Sequence, residues 1–245
     1  MTRIKLMNTY VDCLTMKETL YEIETIIEKK KPTQHVVINA NKVNMMYKDD
    51  LLKQIVNSAN LINADGFSIL LAGKVLNKPV VERVTGIDIF VELLNLCNEK
   101  EYRPFFLGAT CEVIKSLEKK LSIDYPRIPF AGFHHGYFEN RDDEIVNEIR
   151  KSNADILFLG FSSPYKEYWA SKYLEELNVP FIMGVGGSFD VIAGKTKRAP
   201  IWMQRLGMEW FFRYLQEPKR MFNRYFIGNV VFLKHLYEEK KLIKK

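Results

Sequence analysis

Cysteine is scarce in this chain of 245 residues: there are three, Cys13, Cys97 and Cys111, and no CxxC pair. So small and odd a set excludes a disulfide scaffold and points to a reducing compartment. Long apolar runs are missing as well. No window reaches the roughly 18 uncharged apolar residues that a spanning helix needs. The opening stretch, MTRIKLMNTYVDCLTM, is interrupted by Asn8 and Asp12 and has no apolar signal core. Any encounter with a membrane is therefore expected to be peripheral and from the cytoplasmic side. Internal repeats, low-complexity tracts and Gly/Ser linkers are absent too. So is any DxD sequence, the pair with which many nucleotide-sugar transferases hold a metal on a diphosphate. Chemistry of that kind would have to rest here on Arg, Lys or backbone amides. The adjacent His134 and His135 have no Cys or carboxylate beside them to complete a ligand set, so no metal and no cofactor is expected.

Charge is present in quantity but unevenly placed. Residues 196–245 hold 12 Lys and Arg against 4 Asp and Glu, a net of +8. The whole chain is +6, so residues 1–195 carry −2. This divides the chain into a near-neutral body, 1–195, and a basic appendage, 196–245, that meets something anionic.

Within the body, short apolar runs alternate with helical patterns. Strands are expected at Val36–Ile38, Leu61–Ile62, Pro104–Leu107, Ile128–Ala131, Ile156–Leu159 and Phe181–Met183. Helices are expected after the strand Val36–Ile38 through about Ser58, then at Phe67–Leu76, Ile87–Lys100, Cys111–Leu121 (capped by Thr110) and Asp142–Lys151. Pro164 suits the first turn of another helix. Residues 133–138, FHHGYF, read as a loop. Strand–Gly–helix units in series predict an α/β fold with a mostly parallel sheet flanked by helices. Ligands of such sheets sit beyond the carboxyl ends of the strands. That rule sets Asn39, Asp65, Gly108, Gly160 and Gly184 to Gly187 along one rim.

Several rim residues could carry chemistry. Asp65 stands between a short strand and Gly66, where it is either a general base or the N-cap of the next helix. Arg83, in VERVTGID, suits a bidentate contact to a diphosphate, or an ion pair with Glu82 or Asp88. The turn GVGGS at 184–188 could cradle phosphate oxygens or be a tight turn alone. It matches neither of the common glycine fingerprints. The appendage interleaves Trp202, Trp210, Phe211, Phe212, Tyr214, Phe222, Tyr225 and Phe226 with Arg205, Arg213, Lys219, Arg220 and Arg224. Such a pattern fits an anionic bilayer surface, a helix docked on the core, or single-stranded nucleic acid.

Taken together, the segments VINANKVNMM, NADGFSILLAGK, VERVTGIDIF, FFLGAT, GFHHGYF, LFLGFSSPYKEYW, GVGGSFDVIAGKTKRAP and LGMEWFFRYLQEPKR resemble the WecG/TagA/CpsF glycosyltransferases, glycosyltransferase family 26, over roughly residues 5–228. The resemblance implies a Rossmann-like core whose C-terminal helical appendage helps close the active site and meets the bilayer. It also implies an inverting, metal-independent sugar transfer from a UDP-sugar donor to a polyprenyl-diphosphate-linked acceptor at the cytoplasmic membrane face. In the teichoic-acid branch the sugar is N-acetylmannosamine and the acceptor undecaprenyl-diphosphate N-acetylglucosamine. Carried over by position, Asp65 is the base and Arg83 faces diphosphate. Gly186, Gly187 and Asp190 lie by the donor, with Asn39 and Gly108 on the same rim. Arg213, Arg220 and Arg224 reach the leaving diphosphate or lipid phosphates. Two departures fall near the donor: Lys166, before Glu167, stands where many members have Gln, and Val37 where many have Thr. They open the alternatives of UDP-N-acetylmannosaminuronate, UDP-glucuronate, UDP-glucose or UDP-galactose as donor. A non-catalytic nucleotide- or nucleic-acid-binding protein is the alternative of another class; the rim carboxylates speak against nucleic acid. Aromatics around Trp202–Phe212 also leave room for a homo-oligomer.

Overall fold

The computed structural model describes residues 2–243. Its elements run β1 (Arg3–Leu6), β2 (Thr9–Asp12), α1 (Met16–Lys29), β3 (Thr33–Ile38), α2 (Ala40–Met46), α3 (Asp50–Ser58), β4 (Leu61–Ala64) and α4 (Phe67–Val75). They continue with α5 (Gly86–Lys100), β5 (Pro104–Gly108), α6 (Cys111–Asp124), β6 (Gly132–His134), α7 (Asp142–Lys151), β7 (Ile156–Gly160), α8 (Tyr165–Lys172), α9 (Leu174–Leu177) and β8 (Phe181–Gly184). The chain closes with α10 (Ser188–Ile192), α11 (Ile201–Arg205), α12 (Glu209–Gln216), α13 (Pro218–Phe222), a π-helical turn (Asn223–Ile227) and α14 (Gly228–Ile243).

Six strands form one sheet in the order β4-β3-β8-β7-β5-β6, and every pairing is parallel. Alternation along the strands feeds two faces. Phe106 and Phe158 join Phe90 and Phe189 on one side, with ring centroids of Phe90 and Phe158 4.7 Å apart. Phe105, Leu107, Leu157 and Leu159 join Trp169 and Tyr173 on the other. Central strands covered on both faces need apolar side chains throughout. β3 breaks that rule with Gln34 and His35, and both are satisfied: Gln34 Nε2 donates to Glu167 O, and His35 Nε2 lies 2.9 Å from Asn63 Oδ1. Burial brings His35 down to about 4, so the ring is neutral.

Four sequence expectations change. The helix expected to run through Ser58 is two, because Asp49 caps α3 by accepting from Leu52 N. The strand expected at Ile128–Ala131 lies later, at Gly132–His134, where it adds to the edge of β5. Phe133 and His134, read as loop, therefore belong to that strand. The hairpin β1–β2 and helix α1 were not expected at all. The hairpin is anchored by Asp12, whose carboxylate accepts from Arg3 and from Ile62 N on edge strand β4.

The basic segment from residue 196 is mostly helical in its described part, and its last two residues lie outside the described ones. It is tied to the body. α14 packs along α2 and sends Phe232 and Leu236, one helical turn apart, into the core with Val36, Val43 and Ile62. Asn44 Nδ2 on α2 donates to Gly228 O, 2.7 Å away, where α14 begins.

Candidate functional site

Beyond the carboxyl ends of β3, β4 and β8 opens a cleft of about 730 Å³, walled by the body on one side and by the basic segment, from Thr196 to Leu233, on the other. Asn39, Asp65, Arg83, Lys166, Gly186, Gly187, Asp190, Arg213, Arg220 and Arg224 all line it. Gly108 and Glu167 do not. Gly108 faces Gly160 on the neighbouring strand so closely that a methyl group would come within 2.7 Å of Gly160 Cα. Glu167 is buried behind the cleft floor.

Asp65 sits one residue past β4, its N–H fixed to Ile38 O at 2.7 Å. It does not cap α4, whose N-cap is Gly66. Gly66 takes φ 108°, a conformation other residues resist, and that turn frees Asp65 for the cleft. Desolvation raises the Asp65 carboxyl above the ordinary aspartate value, against the pull of Arg83, Lys166 and Lys42, while Glu209 adds to the rise. A carboxylate so placed is a stronger base than one in water.

Arg83 pairs with neither Glu82 nor Asp88. Its guanidinium reaches the basic segment instead, donating to Gln204 O at 3.3 Å and lying 3.9 Å from Glu209 Oε2. Asp88 belongs to Arg198, which also binds Glu209 through Nε at 3.2 Å. Arg213 enters the cleft over Gly187. A Cβ at 187 would sit 2.5 Å from Arg213 Nη2, so only glycine admits that approach. Arg213 Nε is buried with no hydrogen-bond partner among the described residues, an unsatisfied donor at the edge of the cleft that its side chain lines. Arg220 is exposed and pairs with Glu217; Arg224 is exposed beside the Tyr225 ring. Asn39 uses Oδ1 to cap α2 on Lys42 N.

Beneath the floor, Lys42 Nζ meets Glu167 Oε1 at 2.6 Å, and Ser163 Oγ donates to the same oxygen at 3.0 Å. These contacts hold the Glu167 carboxyl below the usual range in spite of burial. Lys166, its neighbour on α8, turns toward the cleft and donates to Gly184 O at 2.8 Å. Burial, with Lys42 close by, brings its ammonium down to about 8. Phe67, Leu71, Ile87, Trp210, Phe212 and Leu233 supply an apolar wall. The cleft can thus hold an anionic group among arginines, place a carboxylate against a hydroxyl, and shelter an apolar moiety.

Three contributors were not anticipated: Lys42, Arg198 and Glu209. Their contacts span 125, 110 and 11 residues. The one hint was Glu209 itself, one of 4 acids among 12 cations in its segment.

The sequence pattern of one family, described as the Glycosyl transferase WecG/TagA/CpsF family, matches residues 4–245. A Bacillus subtilis (strain 168) protein named N-acetylglucosaminyldiphosphoundecaprenol N-acetyl-beta-D-mannosaminyltransferase is 36% identical over 173 residues, covering 71% of this chain and 67% of that protein. A protein of the same name from Staphylococcus aureus (strain MW2) is 31% identical over 249 aligned residues, covering 99% and 95%.

Proposed function

The chain belongs to the WecG/TagA/CpsF glycosyltransferase family, and from that premise we propose that it moves N-acetylmannosamine from UDP-N-acetylmannosamine onto undecaprenyl-diphosphate N-acetylglucosamine. The observation that carries the reading is the meeting of Asp65 with Arg83 and Arg213 in one cleft. The relatives' names supply the sugar and the acceptor. They favour N-acetylmannosamine over the uronate and hexose donors, and family membership displaces the non-catalytic reading.

In this mechanism Asp65 takes the proton of the acceptor hydroxyl. The oxygen attacks the donor's anomeric carbon, the bond to UDP breaks, and the configuration inverts in one displacement. A single base and a stabilised leaving group suffice, with no second carboxylate as nucleophile. Arg213 and Arg83 meet the charge that builds on the departing diphosphate; a preorganised donor of this kind is worth about 10²–10³ in rate. Gly186, Gly187 and Asp190 shape the donor end of the cleft, next to Lys166. Arg220 and Arg224 stand at the mouth, where the lipid diphosphate arrives.

No helix among the described residues is long and apolar enough to cross a membrane. The basic segment nevertheless exposes Ile201, Trp202 and Leu206, and further along Leu215, Phe222 and Ile227 beside Lys219, Arg220 and Arg224. Basic and apolar groups so mixed support a peripheral site of action on an anionic cytoplasmic face. The test is product analysis. Incubation of UDP-N-acetylmannosamine with a short-chain polyprenyl-diphosphate N-acetylglucosamine should give a disaccharide lipid whose new linkage is β by NMR. An α linkage, or no transfer from this donor, would overturn the proposal.

A further inference from the structure

Four charged side chains are linked in series beside the cleft, where the body meets the basic segment. Asp88, in the first turn of α5, is fixed by Thr85, whose Oγ1 donates to Asp88 Oδ2 at 2.6 Å. Its other oxygen binds Arg198 Nη2, Arg198 Nε binds Glu209 Oε1, and Glu209 Oε2 faces Arg83 Nη1. All four side chains are partly shielded, between 20% and 35% exposed, so their attraction is less screened than that of surface pairs. Both ends of the series are in the body. Glu209, between the two arginines, is the first residue of α12.

The aromatic side chains of α12 lean on their own segment. Trp210 packs near Tyr225 and Phe226, with centroids at 5.8 and 6.0 Å, and Tyr214 lies 5.0 Å from Phe226. Glu209 is therefore the polar tie that fixes α12 to the rim. It also lies one helical turn before Arg213, on the same face of the helix. Whatever sets the height and rotation of Glu209 sets where Arg213 enters over Gly187. The fit there is close, and Arg213 lines the cleft while its Nε stays buried without a hydrogen-bond partner among the described residues.

We propose that Glu209 is a positioning residue: bridged between Arg198 and Arg83, it locks α12 so that Arg213 presents its guanidinium to a diphosphate in the cleft. The proposal rests on the glycosyltransferase reading for the identity of that diphosphate, but not on Asp65 or on turnover.

The test is UDP binding by calorimetry to the full chain, for wild type, Glu209→Ala, Arg213→Ala and the double variant. Loss of an ionic hydrogen bond to the diphosphate should raise the Kd about tenfold or more in Arg213→Ala. Glu209→Ala should raise it about as much, with thermal unfolding unchanged. The double variant should be no weaker than Arg213→Ala alone, because Glu209 acts through Arg213. Glu209→Gln, which keeps an acceptor for Arg198 Nε, should recover part of the loss; a full loss there places the effect in the charge and still supports the bridge. Unchanged affinity in Glu209→Ala, or losses that multiply in the double variant, would overturn the proposal alone. A wild type that does not bind UDP would overturn it together with the donor reading.

Discussion

Replacing Lys42 with Met removes half of an ion pair that is almost fully enclosed, its side chains 4% and 2% exposed. The Glu167 carboxylate would stay behind with Ser163 as donor and with Lys166 Nζ 3.9 Å from the same oxygen. Breaking a buried pair by deleting one partner costs about 3–5 kcal/mol. The nearby Lys166 ammonium offsets part of that, so the lower end, about 3 kcal/mol, is expected. For a chain of this size, 1 kcal/mol moves Tm by about 2–4 °C. The melting temperature should therefore fall by about 6–12 °C, read by circular dichroism and checked by urea titration. Lys42→Met combined with Glu167→Leu, which leaves no charge unpaired, should recover most of the loss. The pair is also pH-linked. The folded Glu167 carboxyl lies below its unfolded value, so its stabilisation is present above about pH 4.5 and is lost as the pH falls through the folded value. Wild type and Glu167→Gln should thus converge in stability as the pH falls below about 4.5. A Lys42→Met variant within about 0.5 kcal/mol of wild type, or a double variant as unstable as the single, would refute this reasoning.

Three further outcomes follow from the same geometry. Lys166 loses its charge as the pH rises through about 8, so wild-type kcat/KM should decline there, and Lys166→Gln should lack that alkaline limb. Gly187→Ala places a methyl group 2.5 Å from the present position of Arg213 Nη2 and pushes the guanidinium aside; UDP affinity should drop about tenfold while the melting curve is retained. Phe232→Ala, 1% exposed on α14, should cost about 3–5 kcal/mol in a urea titration, as a core residue does and an appendage residue does not.

Much of the sheet was legible because β3, β4, β5, β7 and β8 each contain a short apolar run that ends at or just before Gly, Asn or Ala-Asp. The edge was not. Ile128 and Phe130 offered the stronger apolar signal, but they pack as a loop, while half-buried Gly132–His134 takes the hydrogen bonds of β5. The hairpin β1–β2 is short and partly polar, and what fixes it is Asp12 reaching across to β4, a contact with no local trace. The same limit governs the site. Strand ends announced Asp65 and the 184–188 turn, because a parallel sheet puts ligands at those ends. Lys166 and Glu167 could not be told apart in sequence. Neighbours on a helix point about 100° apart, and here one turns to the cleft and the other to Lys42. The break at residue 196 was read from charge, but charge does not report packing: the far end of the basic segment, at Phe232 and Leu236, is core.

The central claim is that Asp65 acts as the base in this cleft, and the most direct measurement compares wild type with Asp65→Asn. Acceptor-dependent UDP release and UDP affinity should be followed side by side, with UDP-N-acetylmannosamine and a short-chain polyprenyl-diphosphate N-acetylglucosamine. The account predicts that turnover falls by about 10²–10⁴ in the variant, while the Kd for UDP stays within about threefold. An Asp65→Asn enzyme that keeps turnover within a few-fold of wild type would contradict it.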